Sequence, residues 1–254
     1  MAKRATAALW LTGCAGVISM IGLSIYGPIP QDPGYHLFAD QRQFLGIPHF
    51  FNVVSNLAFL VVGIAGVAGL RNRSGPGLPR PLRPAYFQFF IAAILTGAGS
   101  AYYHLAPGNQ TLAWDRLAMA LGFMAFVTIV IGEHVNLEAA RRVRLPLTVV
   151  GVAAVLYWAV SESQGQGDLR LYVVVQFLPM VLVPLVLLTA PPLFGTARHL
   201  WMMLACYAGA KLFEALDLHL YELGRLVSGH TLKHLLAAYG MWFMVQAVRQ
   251  RRVE

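Results

Sequence analysis

Eight apolar runs of about 20 residues follow one another along this chain, most of them set apart by short breakers. The runs fall at 5–26, 50–70, 84–105, 112–132, 145–162, 171–190, 197–217 and 229–247. Each is near the length a helix needs to cross about 30 Å of hydrocarbon, though the fifth is short. The breakers read GPIPQDPG, RNRSGPGLPRPLRP, APGNQ, SQGQGD and PPLFG, and Gly and Pro punctuate helices in this way. Within lipid a segment must satisfy its own backbone, and these runs are too long for barrel strands. The expected fold is therefore all-α, a polytopic transmembrane helix bundle. Only 12% of the residues are charged, against about 25% in a soluble domain. One bundle accounts for the whole chain, so no separate soluble domain is expected.

The net charge of +8 does not point to nucleic acid. Its arginines cluster in short loops between apolar runs, where membrane topology explains them. Lys3 and Arg4 precede the first run, which exceeds a signal-peptide core and lacks a clear cleavage site, so a retained anchor helix is expected. If every run crosses, these two share a side with Arg71, Arg73, Arg80 and Arg83, with Arg141, Arg142 and Arg144, and with Arg249, Arg251 and Arg252. By the positive-inside rule that side is the cytoplasm, with both termini on it. Cys14 and Cys206 lie inside apolar runs and read as packing residues.

This topology gathers polar residues from distant stretches at one depth. The third run ends outward with Ser100 and His104, four apart and so on one helix face. After the APGNQ turn, the fourth run is expected to start inward with Asp115 in its first turn. The eighth run begins at the same face with His230 and His234, an i, i+4 pair that points both imidazoles to one side. Three histidines are a known catalytic zinc set, with water as the fourth ligand. Ionisable groups are expensive at membrane depth and tend to be functional there.

Other polar residues are open to plainer readings. Asn52, Ser55 and Asn56 share a face of the second run, where interhelical hydrogen bonding is favoured over catalysis. Lys211 and Glu214 have i, i+3 spacing and are expected to pair; alternatively Glu214 or Asp217 accepts a hydrogen bond from a ligating histidine. His219 is a spare candidate ligand, His36 and His49 read as loop residues, and His134 and His199 fall on the cytoplasmic side.

Taken together, FFNVVSN at 50–56, the Ser100–His104 pair, Asp115 and the His230–His234 pair resemble the alkaline ceramidase family. That family belongs to a superfamily of seven-span membrane hydrolases that includes the adiponectin receptors. The resemblance implies a seven-helix core over residues 50–248, preceded by one extra N-terminal transmembrane helix and outward loop (1–49) and followed by a basic cytoplasmic tail (249–254). It implies Zn2+ on His104, His230 and His234, a role for Asp115 toward the water the metal holds, and Ser100 beside the substrate carbonyl. Asn52, Ser55, Asn56, Glu214 and Asp217 stand as second-shell or structural candidates. The implied activity is hydrolysis of a ceramide-like membrane lipid to a fatty acid and a long-chain amine, with no nucleic acid and no obligate protein partner. Eukaryotic members carry an acidic calcium cluster just before FFNVVSN; here Asp32 and Asp40 remain but the cluster is not reproduced, which leaves calcium in doubt. The alternative is a receptor or proton-coupled transporter with a structural metal, in which Lys211, Glu214 and Asp217 form a relay.

Overall fold

A peptide group inside hydrocarbon needs a partner within its own segment, and helices supply one. The computed structural model describes Gly22, residues 25–71 and residues 77–251. The expected first span lies almost wholly outside the described residues, as do Lys3, Arg4, Cys14, Arg73 and Arg252. The described residues form eight helices and no extended strand: α1 (Phe50–Arg71), α2 (Arg83–Leu105), α3 (Asn109–His134), α4 (Leu137–Ser163), α5 (Arg170–Thr189), α6 (Ala197–Ala215), the short α7 (Asp217–Gly224) and α8 (Gly229–Gln250). Five of them, α1 to α5, are long and apolar enough to cross a membrane. α6 and α8 are long as well, at 19 and 22 residues, but carry Lys211, Glu214, Lys233 and three histidines, which lower their hydropathy.

Consecutive helices pack side by side from α1 to α5, α6 packs on α8, and α8 closes the ring against α1. α3 is the central span, with 78% of its apolar window buried. Val61 and Ile64 of α1, Val149 and Leu156 of α4, and Val181 and Leu188 of α5 are exposed on the outer surface. Such an apolar exterior suits lipid and not water. By the alternation of the helices, Arg71, Arg83, Arg141, Arg144 and Arg249 fall at one end of the bundle and the three site histidines at the other.

Three helix boundaries differ from the sequence reading. α4 starts at Leu137, well before 145, because Asn136 Oδ1 accepts the N–H groups of Glu138 and Ala139 at 2.8 and 3.0 Å. Glu138 then pairs with Arg141 and Arg142 at 2.7 and 2.9 Å, so the arginines belong to the first turns of the helix. α3 starts at Asn109: Gly108 carbonyl accepts Leu112 N–H at 2.9 Å, and Thr111 Oγ1 bonds the Ala106 and Gly108 carbonyls. Asp115 is therefore in the second turn of α3, not the first. The seventh run breaks at Leu216 into α6 and α7.

Two features bring the site helices together. At Gly99, α2 and α3 run so close that a Cβ would lie 2.9 Å from the Trp114 carbonyl oxygen and 3.2 Å from Asp115 N. Over the site end runs a strap, residues 27–49. Leu169 N–H donates to Ile29 O at 2.8 Å, Arg116 Nη2 to Gln31 Oε1 at 2.6 Å, and Arg42 Nη2 to Leu226 O at 2.8 Å. His36 reaches Tyr103 Oη and Asn109 Oδ1, each at 2.9 Å.

Candidate metal centre

The phase of α8 is set at its start. Ser228 Oγ accepts Thr231 N–H at 3.2 Å, and Asp217 Oδ1 accepts His230 N–H at 2.7 Å. These satisfy donors that a helix N-terminus would otherwise leave open. His230 and His234 then face inward toward His104 at the end of α2. Their ring centroids form a near-equilateral triangle: 4.8 Å from His104 to His230, 5.0 Å from His104 to His234, and 4.9 Å from His230 to His234. The residues are 1%, 6% and 4% exposed, too buried for bulk water to solvate the rings.

The donor set suits a cation. One nitrogen from each ring lies within 4.8 Å of the others, and the Nε2 atoms of His104 and His230 are 3.3 Å apart. Nitrogens bound at about 2.0 Å around a tetrahedral zinc lie about 3.3 Å from one another. The His104 Nδ1 has no hydrogen-bond partner. Ser55 settles the orientation of His234: its hydroxyl donates to Asn52 O at 3.1 Å, which leaves Oγ to accept from His234 Nδ1 at 2.8 Å. With the proton on Nδ1, the Nε2 lone pair is free as a ligand. Among the described residues this is the one group of three or more His, Cys, Asp or Glu placed to hold a metal.

Ser100 and Asp115 stand near each other beside the histidines. Both line, with His234, a cavity of about 120 Å³ enclosed by the ring of helices. Its deeper wall is apolar, built from Phe59, Phe89, Met119, Phe123, Met203 and Met241. On the strap side, Phe38 meets the His104 and His230 rings edge-on at 4.6 and 4.7 Å and is itself 4% exposed. The strap thus covers the histidines from outside.

The remaining candidates have structural duties. Asn52 Oδ1 accepts from Thr231 Oγ1 at 2.9 Å, tying α1 to α8, and Asn56 Nδ2 donates to Asn52 O at 2.7 Å. Side chains competing for that carbonyl explain the interruption of α1 at Ser55 and Asn56. Glu214 pairs with Lys211, as its spacing predicts, and also with Lys233 at 2.8 Å. Asp217 accepts main-chain N–H groups from His230 and, at 3.0 Å, from Ala39. Neither acid is bonded to an imidazole ring, and Asp217 does not continue a relay from the Lys211–Glu214 pair. His219 is exposed on α7. His134 and His199 sit at the far end on Ala190 O and Gln250 Oε1.

Asp32 and Asp40 are engaged locally. Asp32 Oδ1 accepts Gly34 N–H at 2.8 Å. Asp40 takes Arg42 Nε and Nη2 at 2.9 and 2.7 Å. Burial would raise the Asp40 carboxyl, but the Arg42 guanidinium outweighs it and holds the group below the usual carboxylate range. Sequence reasoning missed Phe38, and it read Arg116 only as charge balance beside Asp115, whereas its guanidinium stacks 4.1 Å over Trp158 and 4.8 Å over Tyr172. It also missed Lys233, although its place between the two histidines was a visible signal. In comparisons with known proteins, no family model and no curated protein matches the chain.

Proposed function

We propose that this chain is a zinc-dependent intramembrane hydrolase that cleaves the amide bond of a ceramide-like lipid to a fatty acid and a long-chain amine. The observation that carries the reading is the closure of His104, His230 and His234 beside the Ser100–Asp115 pair, at the polar end of an otherwise apolar cavity. In this reading seven helices, α1 to α6 and α8, cross the bilayer after an N-terminal span. The arginine-rich end faces the cytoplasm and the site faces the outer leaflet.

A cation held by the three imidazoles would supply Lewis acidity toward a carbonyl oxygen and toward water. The residues of the chain perform the rest. The apolar wall takes the acyl chain, so the lipid need not leave the bilayer. Asp115 accepts the proton of the attacking water and returns it to the amide nitrogen, so that the amine departs neutral. Ser100, beside that carboxylate on the cavity wall, donates to the carbonyl oxygen as negative charge grows there. Ser55 holds His234 in its ligand tautomer, and Phe38 keeps water from the outer side.

The test is fatty-acid release from an N-acyl long-chain amine by purified protein. Asp115→Asn is expected to lower the rate by about 100-fold or more, and His230→Ala to abolish it. Equal rates for either variant and the wild type would refute the proposal. Lipid profiling of membranes with and without the protein then identifies the amide species consumed.

A further inference from the structure

Lys211 and Lys233 both line the cavity that holds Ser100, Asp115 and His234, and they share one carboxylate. Lys233 Nζ donates to Glu214 Oε1 at 2.8 Å, and Lys211 Nζ donates to Oε2. Each ammonium has three donors and gives one to Glu214. Glu214 and Lys233 are 17% and 18% exposed, so water reaches them poorly, while Lys211 is 35% exposed. Glu214 and Asp115 are the two carboxylates on this cavity wall against the two ammoniums, so the charges balance while each ammonium keeps donors to spare. Both lysines donate to Glu214 and neither donates to Asp115.

An anionic ligand group can take those spare donors. A carboxylate offers two oxygens to two ammoniums, the arrangement Glu214 already shows. The apolar wall next to the lysines accommodates a hydrocarbon chain. We infer that Lys211 and Lys233 form a carboxylate-binding subsite, and that the cavity takes a long-chain amphiphile bearing a carboxylate. Resting on the hydrolase reading, the carboxylate is either the head group of an N-acyl amino acid substrate or that of the released fatty acid.

The full chain, in phosphatidylcholine nanodiscs with a chelator present to keep metal from binding the ligand, is titrated with palmitate and with hexadecanol. Palmitate is expected to bind at least about tenfold more tightly. Lys233→Met and Lys211→Met should each remove that preference, while Glu214→Gln, which releases both ammoniums, should tighten palmitate. Equal binding of the two ligands by the wild type overturns the subsite, and this arm requires no turnover. With metal restored, N-palmitoylglycine and N-palmitoylethanolamine are compared as substrates. A kcat/KM preference of about tenfold for the former, lost in Lys233→Met, identifies a head-group carboxylate. Equal turnover with competitive inhibition by palmitate identifies the product. Selective palmitate binding without cleavage of either amide would overturn the hydrolase reading while sustaining the subsite.

Discussion

The Ser55 hydroxyl lies 2.8 Å from His234 Nδ1, joining the irregular turn of α1 to a histidine on α8, and it is this contact that turns Nε2 of His234 inward. Removing it leaves the imidazole free to change tautomer and ring angle. Ser55→Ala should therefore weaken metal binding by about 10–100-fold, while Ser55→Thr should hold it near wild type. Competition against a chromophoric chelator reads both values.

Gly99 sets the spacing between Ser100 and Asp115. A methyl group there would sit 2.9 Å from Trp114 O, which α3 can relieve only by moving away. Gly99→Ala is expected to destabilise the protein by about 1–3 kcal/mol and to lower turnover with it. Thermal unfolding in detergent measures the first effect, and fatty-acid release the second.

At the far end of the bundle, Glu133 is fully buried and pairs with Arg251. It also accepts from Tyr86 Oη at 2.9 Å and Thr196 Oγ1 at 2.8 Å. Arg251→Met strands a buried carboxylate and should cost about 3–5 kcal/mol. Adding Glu133→Gln should recover much of that loss. Metal affinity should be unchanged in both variants, because the pair lies at the opposite end from the histidines.

Asp40 makes the anchoring of the strap dependent on pH. Its folded pKa lies below the ordinary value, so its contribution is present above about pH 4 and is lost as pH falls through the folded value. Hydrogen exchange in the strap, corrected for intrinsic rate, should rise as the protein is taken from pH 5 toward about pH 3. Asp40→Asn should already show the raised exchange at pH 7, and its exchange around Arg42 should depend less on pH than that of the wild type.

The helices and the three histidines were legible for a simple reason. Apolar run length and i, i+4 spacing are local, and their alternation across the membrane fixes which ends meet. Boundaries were less legible where polar side chains reshape a terminus. Asn136 extends α4 through a cluster of arginines that composition alone reads as a loop. Thr111 and Gly108 likewise move Asp115 into the second turn of α3. Long-range partners left no local trace: Phe38 over the imidazoles, Asp217 on the main chain of Ala39, and Ser55 on a histidine 179 positions away. The Lys211–Glu214 pair was predictable from spacing, whereas the second lysine on the same carboxylate required the approach of α6 to α8.

Fatty-acid release from an amide lipid, followed through metal removal and return, tests the account most directly. The wild-type protein should lose turnover on chelation and regain it with about one equivalent of zinc, and His230→Ala should not respond to zinc at all. Turnover that persists after complete metal removal, or that survives in His230→Ala, would contradict it.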